Sequence, residues 1–146
     1  MSIEYHSRNL KDMDPRTLYR ILKLRSDVFV VEQSCAYPEL DGRDLEEDSL
    51  QVWCTKNLDI PATLRILTEE QSLRIGRVVA DKNYRGTGIA RDLFTYALNQ
   101  CSQVAPHKKI VLDAQAPLQA WYESFGFTRA GEEFLEDGIP HVPMLK

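Results

Sequence analysis

The feature that most constrains this chain is a strand that leads into a glycine-containing turn and then directly into a helix. Residues 73–80 have the pattern of a strand, the turn Arg85-Gly86-Thr87-Gly88 follows, and apolar side chains then recur at helical spacing from Ile89 until Pro106. A helix that begins at such a turn presents free backbone N–H groups and the positive end of its dipole to an anion. Because glycine has no Cβ, a ligand can approach the backbone closely. The segment therefore predicts a diphosphate site at the start of the helix.

Three diphosphate ligands compete for this turn. ATP or GTP chemistry needs a Lys-Ser/Thr pair after the glycines, whereas Ile89-Ala90 stand there. A dinucleotide fold needs a third glycine where Arg91 stands and more βαβ units, although Asp113 ends the next strand where a ribose-binding acid could lie. Coenzyme A fits better, because its pantetheine arm could lie along the strand that precedes the turn.

The remaining pattern predicts an α+β fold. Asp14-Pro15 marks the start of a helix, and Pro61 is expected to limit the start of one strand. We expect helices over residues 15–29, 88–105 and 117–125, and strands over residues 51–56, 62–67, 73–80, 109–114, 128–135 and 140–145. This order, an antiparallel meander followed by one βαβ crossover and a closing hairpin, predicts a mixed sheet. A length of 146 residues suits a single domain spanning residues 1–146.

Composition excludes several classes of protein. A net charge of −4 and a pI near 5.4 argue against nucleic acid as a partner. No apolar run is long enough to cross a membrane, and the start lacks a signal peptide, so we expect a cytoplasmic protein without a membrane partner. Cys35, Cys54 and Cys101 are predicted to be small buried residues. The three histidines lack the spacing of metal ligands, so no metal is expected; they are His6, His107 and His141.

Charge is distributed unevenly along the chain. Residues 74–91 carry five basic side chains and one acid, whereas residues 39–50 carry six acids and one arginine, and residues 132–137 form a second acidic patch. Each run alone predicts a solvated loop. Together they would suit an anionic cofactor and a cationic substrate. We expect exposed carboxylates to attract the cationic substrate; these are Asp41, Asp44, Glu136 and Asp137.

The turn and its context resemble the GNAT superfamily of acetyl-CoA-dependent N-acetyltransferases. The run from Arg85 to Ala90 matches the family's [Q/R]-x-x-G-x-[G/A] signature, and Tyr122-Glu123-Ser124-Phe125-Gly126-Phe127 resembles its Tyr-x-x-x-Gly-Phe element. Further segments resemble the ElaA-type branch: Leu24-Arg25, Val28-Phe29-Val30-Val31-Glu32-Gln33, Tyr37, Asp41-Gly42, Ala114-Gln115-Ala116, and Glu136-Asp137-Gly138-Ile139-Pro140-His141.

The resemblance implies a fold and a set of cofactor contacts. The fold would be a mostly antiparallel twisted sheet with flanking helices, in which the strands at 73–80 and 109–114 splay apart. The pantetheine arm of acetyl-CoA would pair with the backbone of Val78, Val79 and Ala80, and the N–H of Val79 would stabilise an oxyanion. The pyrophosphate would lie on the signature turn, which comprises Arg85, Gly86, Thr87, Gly88, Ile89, Ala90 and Arg91.

The resemblance also implies a reaction. Tyr122 would protonate the departing thiolate, although its place on an apolar helix stripe also fits a core tyrosine. Glu32, Gln33 and His141 are candidate substrate contacts, and the Glu and His are candidate bases. We expect direct acetyl transfer to a primary amine of a small molecule or peptide, with a homodimer left open. A CoA-binding sensor without catalysis is the alternative.

Overall fold

The computed structural model of the chain describes residues 2–146, and its centre is one eight-stranded sheet. The strands lie in the order β1-β2-β3-β4-β5-β8-β6, and β7 pairs with β8. Their bounds are β1 Glu4–Arg8, β2 Leu50–Lys56, β3 Asp59–Thr68, β4 Ser72–Ala80, β5 Lys109–Gln115, β6 Thr128–Arg129, β7 Phe134–Glu136 and β8 Ile139–Leu145. This arrangement confirms the predicted α+β fold with a mixed, mostly antiparallel sheet.

Strands β4 and β5 form a parallel pair that separates along its length. The pairing begins at Ser72 and Lys109 and ends at Arg74 and Val111, although both strands continue beyond that point. Each strand keeps its other neighbour, because β4 pairs with β3 and β5 pairs with β8. The predicted splayed pair is therefore confirmed, and the gap opens towards the carboxyl ends of β4 and β5.

Three α-helices cover the sheet: α1 (Pro15–Ser26), α2 (Ile89–Val104) and α3 (Gln119–Glu123). The predicted cap at Asp14 is present, since its carboxylate accepts a hydrogen bond from the N–H of Thr17. Helix α2 buries its apolar stripe against one face of the sheet, and Phe94 at the centre of that stripe is fully buried. Helix α1 contacts β3 and β4.

The first helical segment is longer than predicted. After α1 the chain continues as a π-helical segment, Asp27–Glu32, in which the N–H of Gln33 donates to the carbonyl of Val28. The prediction ends this segment at Phe29, the last residue of its apolar pattern at helical spacing. The third predicted helix is likewise split, into a 3₁₀ turn, Ala116–Leu118, and α3.

Three strand predictions differ from the structure. Strand β3 begins at Asp59 and contains Pro61, which is tolerated because the β2–β3 register shifts opposite it. The strand expected over residues 128–135 is broken into β6 and β7. At the break the carbonyl of Pro143 in β8 accepts a hydrogen bond, but Pro143 has no N–H with which to donate a second one. Strand β1, an edge strand of mostly polar residues, was not predicted.

Candidate active site

A cavity of about 840 Å³ opens where β4 and β5 separate. Buried apolar side chains from both strands form part of its wall, including Ile75, Val79 and Leu112. Of the residues predicted for the site, eight line this cavity: Glu32, Gln33, Val78, Val79, Ala80, Arg85, Tyr122 and His141. The rest of the signature turn lies outside the cavity wall and comprises Gly86, Thr87, Gly88, Ile89, Ala90 and Arg91.

The signature turn has the geometry of an anion cradle. Gly86 and Gly88 adopt left-handed backbone conformations, with φ of +78° and +83°, and a Cβ at either position would meet no atom within 4 Å. Within residues 2–146, no backbone N–H from Gly86 to Arg91 donates a hydrogen bond to a protein atom. Open space and free donors at the start of α2 therefore fit a pyrophosphate group.

Arg85 and Glu32 form an ion pair at the edge of the cavity. The guanidinium donates to both carboxylate oxygens, at 2.7 and 3.0 Å, and a third bond of 3.3 Å reaches the carbonyl of Ala80. The hydrogen bond from the arginine lowers the pKa of Glu32. A carboxylate held in this way is a weak proton acceptor, so the geometry disfavours Glu32 as a base.

Tyr122 belongs both to the core and to the cavity wall. It is 6% exposed, and its ring packs edge-on against Phe94 with centroids 5.5 Å apart. Its hydroxyl makes no hydrogen bond to any described residue, and burial raises the pKa of the phenol above its ordinary value. The phenol is therefore protonated at neutral pH.

A β-bulge in β4 precedes the residues expected to face the cofactor. Thr63 pairs with Val79 and Arg65 pairs with Gly76, so β4 contains one more residue than β3 across this interval. Arg77 takes the extra position with φ of +54°, a conformation that is rare for a residue with a side chain. Because a bulge turns the strand locally, it sets the direction of the backbone groups that follow.

The Arg77 side chain is fixed by the neighbouring acidic segment. Its Nε lies 2.9 Å from a carboxylate oxygen of Glu39, and its Nη2 lies 3.3 Å from one of Asp41. The guanidinium also lies over the ring of Tyr37, whose hydroxyl donates to Glu39. The sequence signal for this bulge was the isolated glycine in the strand, Gly76, which the sequence analysis did not use.

The acidic segment is not the solvated loop that its composition predicted. Three of its carboxylates, Glu39, Asp41 and Asp44, join Arg25, Arg65 and Arg77 in one ion cluster. Arg25 is 1% exposed and donates to Glu39 at 2.6 Å and to Asp44 at 2.9 Å. Three acids balance three arginines, so the cluster is formally neutral. The sequence predicted that Asp41 and Asp44 would attract a cation. In the structure both carboxylates are paired with arginines, so neither is free to do so.

The hydrogen bond from Arg65 holds the pKa of Asp41 well below its ordinary value. Burial alone would raise the pKa of Asp44, but hydrogen bonds from Arg25 and Gln51 lower it overall. Both carboxylates are consequently ionised throughout the neutral range.

Ion pairing also neutralises the arginines of the basic stretch that line the cavity. Arg74 contacts Glu69 at 3.0 Å and Asp113 at 3.2 Å, and both of these acids line the cavity with it. Among the acids of the cavity wall, only Glu136 and Asp137 have no arginine or lysine within 4 Å in the part of the chain described. Within the described part of the cavity wall, unpaired negative charge thus lies at the β7–β8 turn.

His141 lies at the start of β8, opposite Gln115 at the end of β5. Its Nδ1 lies 2.7 Å from the carbonyl oxygen of Ile139, and its Nε2 lies 3.6 Å from a carboxylate oxygen of Glu136. The amides of Gln33 and Gln115 are hydrogen-bonded at 3.2 Å, which links the π-helical segment to the end of β5. Gln33 and His141, both predicted to contact the substrate, thus lie on the same side of the cavity.

The cysteines are buried and unpaired, as predicted. Burial raises the pKa of Cys54 to about 11 and that of Cys101 to about 11, so neither is a thiolate at neutral pH. Residues 2–146 contain no group of three or more potential metal ligands. None of the helices described has the length and apolar character needed to cross a membrane.

Comparison with known proteins agrees with this architecture. Residues 24–146 match the acetyltransferase (GNAT) domain family. A UPF0039 protein of Mycobacterium tuberculosis is 47% identical over 141 residues, which cover 93% of this chain and 88% of that protein. ElaA of Escherichia coli is 39% identical over 147 residues, which cover 99% of this chain and 96% of ElaA.

Solved structures show the same fold. The crystal structure of Escherichia coli ElaA matches with a TM-score of 0.94 and 37% identity, covering 99% of both chains. An acyl-CoA N-acyltransferase from Pseudomonas aeruginosa matches with a TM-score of 0.95 and 37% identity, again over 99% of both chains. The splayed strands, the open turn and these similarities lead to one conclusion: the chain belongs to the GNAT acetyltransferase family and is ElaA-like.

Proposed function

We propose that this protein transfers the acetyl group of acetyl-CoA directly to a primary amine, within a complex that holds both substrates. The observation that carries the proposal is the open, donor-rich turn from Gly86 to Arg91, placed at the end of a strand that borders the cavity. A buried, protonated Tyr122 lies in the wall of the same cavity.

Acetyl-CoA would supply the acetyl group as an activated thioester. The amides from Gly86 to Arg91 would hold its pyrophosphate, and the backbone of Val78, Val79 and Ala80 would lie along its pantetheine arm. Arg85 already pairs with Glu32, so its contribution to phosphate binding would require that ion pair to rearrange or to be shared.

Two groups of the chain would assist the transfer. The N–H of Val79, directed by the bulge at Arg77, would stabilise negative charge on the acyl oxygen. Tyr122 would hold a proton for the leaving sulfur, which a phenol with a raised pKa retains at neutral pH. No enzyme thiolate is needed, in keeping with the raised pKa values of Cys54 and Cys101.

The acceptor would be a small-molecule or peptide amine that is cationic in solution. Glu136 and Asp137 would attract it, because the other acids of the cavity wall are neutralised by arginines. Their exposed carboxylates at the β7–β8 turn would attract an ammonium group towards the cavity.

Calorimetry with CoA tests the location of the cofactor. Gly88→Val should abolish binding, because the new side chain would occupy the space in front of the free amides. Gly138→Val is the matched control, since Gly138 has a similar φ of +79° but lies in the β7–β8 turn. Unchanged affinity in folded Gly88→Val, or equal losses in both variants, would contradict the proposed site.

Steady-state kinetics of Tyr122→Phe test the chemistry and separate an enzyme from a CoA sensor. The change removes one oxygen that has no hydrogen-bond partner, so the melting temperature and CoA affinity should remain near those of the wild type. The kcat should fall by about 10² to 10⁴, the usual contribution of one general acid. Wild-type protein that binds CoA yet releases no thiol with any amine would instead indicate a sensor.

A further inference from the structure

We infer that His141 is the base that takes a proton from the acceptor ammonium. The inference rests on the proposed function, because only a neutral amine has the lone pair needed to attack a thioester. An alkylamine is mostly protonated at neutral pH, so a group in the acceptor site must remove a proton before the C–N bond forms. An imidazole suits this task near neutral pH.

The hydrogen bond to Ile139 fixes the tautomer of His141. A carbonyl oxygen can only accept, so the 2.7 Å contact requires the proton to be on Nδ1. In the neutral ring, Nε2 therefore carries the lone pair. The ring is held further by stacking on Phe134, with centroids 5.9 Å apart, and only 11% of the side chain is exposed. In its neutral form His141 is thus an oriented proton acceptor in the cavity wall.

Glu136 places a negative charge beside the same nitrogen. Its carboxylate lies 3.6 Å from Nε2, near enough to attract the ammonium and to stabilise the imidazolium once the proton has moved. The neighbouring charged group is Asp137, also unpaired among the described residues, whereas Gln115 and Gln33 beyond the ring are neutral amides. Unpaired carboxylates, and no arginine or lysine, thus lie beside His141 in the part of the chain described.

The other titratable groups of the cavity wall are less suited to this role. Glu32, Asp41 and Glu69 each accept hydrogen bonds from an arginine that lowers the carboxyl pKa. The two remaining histidines lie elsewhere: His6 contacts Thr55 and stacks on Trp53, and His107 lies beside a separate shallow pocket.

The step balances in protons and electron pairs. The ammonium gives one proton to Nε2 of His141, and the freed lone pair forms the C–N bond as the C–S bond breaks. The sulfur leaves with the electrons of that bond and takes a proton from Tyr122. The N-protonated amide that forms gives its second proton to the oxygen of Tyr122, and His141 releases the first proton to solvent, so one proton is released overall.

The test compares two nucleophiles that differ in their need for a base. Methylamine is almost entirely protonated at pH 7.5, whereas hydroxylamine is mostly uncharged. Thiol release from acetyl-CoA would be measured with each at saturating acetyl-CoA. His141→Gln should lower kcat/KM for methylamine by about 10² or more and leave hydroxylamine within about threefold of the wild type. His107→Gln, outside the cavity, is the matched control and should change neither.

Two further measurements test whether His141 acts as a base or only supports the structure of the site. Nitrogen NMR of the free enzyme should show His141 protonated at Nδ1, a readout that does not depend on turnover. CoA affinity by calorimetry should match that of the wild type in His141→Gln. Equal losses with both nucleophiles, no loss with methylamine, or a proton on Nε2 would overturn the inference. Wild-type protein that releases no thiol with either nucleophile would overturn the proposed function and the inference with it.

Discussion

Replacement of Arg25 by methionine should strongly destabilise the protein, although the two side chains have similar lengths. Arg25 is 1% exposed and donates hydrogen bonds to the carboxylates of Glu39 and Asp44, which are themselves buried. Methionine would leave two acids facing each other with one cation fewer. Loss of one partner from a buried ion pair costs about 3 to 5 kcal/mol.

That cost predicts a measurable shift in melting temperature. For a domain of about 150 residues, 1 kcal/mol corresponds to roughly 2 to 4 °C, so Arg25→Met should lower the Tm by about 6 to 20 °C. Circular dichroism melts at neutral pH would measure it. The drop should persist in high salt, because water and ions reach a buried cluster poorly.

Lys23→Met is the matched control for this experiment. Lys23 lies on the same helix, two residues away, and also forms an ion pair, at 2.6 Å with Asp27, but both partners are exposed. Its Tm should stay close to that of the wild type, since exposed pairs contribute little. A Tm loss in Arg25→Met no larger than that in Lys23→Met would refute the argument that burial makes this cluster important.

Three further predictions follow from the structure. Asp41 and Asp44 have lower pKa values in the folded chain than in an unfolded one, so the stability that they provide should be complete above about pH 4 and decline as the pH falls further, as acid titration of the Tm would show. Serine at Cys35, Cys54 or Cys101 should preserve turnover in any variant that folds, whereas loss of all activity would point to an acyl-enzyme. Asp137→Asn should raise the KM of a cationic amine more than it lowers kcat, and the difference should shrink with added salt; a KM indifferent to both would refute electrostatic attraction at the turn.

Local sequence patterns were sufficient to predict most of the helices and strands and the glycine turn at the start of α2. The glycines of the signature turn, the Asp14 cap and the apolar stripe of α2 act over a few residues, so their consequences can be deduced from neighbours in the chain. The same holds for Tyr122, whose position on an apolar helix face indicated burial, and the structure shows that it is buried and also lines the cavity.

The long-range charge pairing was decided by the tertiary structure alone. Asp44 and Arg65 are 21 residues apart, and Glu32 and Arg85 are 53 apart, so composition could give the number of charges but not their partners. An acidic run looks solvated in sequence because each carboxylate, taken alone, loses hydration on burial. Three arginines from α1, β3 and β4 compensate for that loss only when the fold brings them together.

The orientation of functional groups depended on the fold in the same way. The sequence named His141 as a candidate, but the contact of its Nδ1 with Ile139 and its position opposite Gln115 are set by the pairing of β8 with β5. Likewise, the extra residue at Arg77 appears only when β3 sets the register of β4. Sequence determined most of the helices and strands and where a diphosphate could bind, because those depend on short-range backbone geometry. Tertiary structure determined which charges are paired and which groups line the cavity, because electrostatic interactions depend on distances between atoms that are remote in the chain.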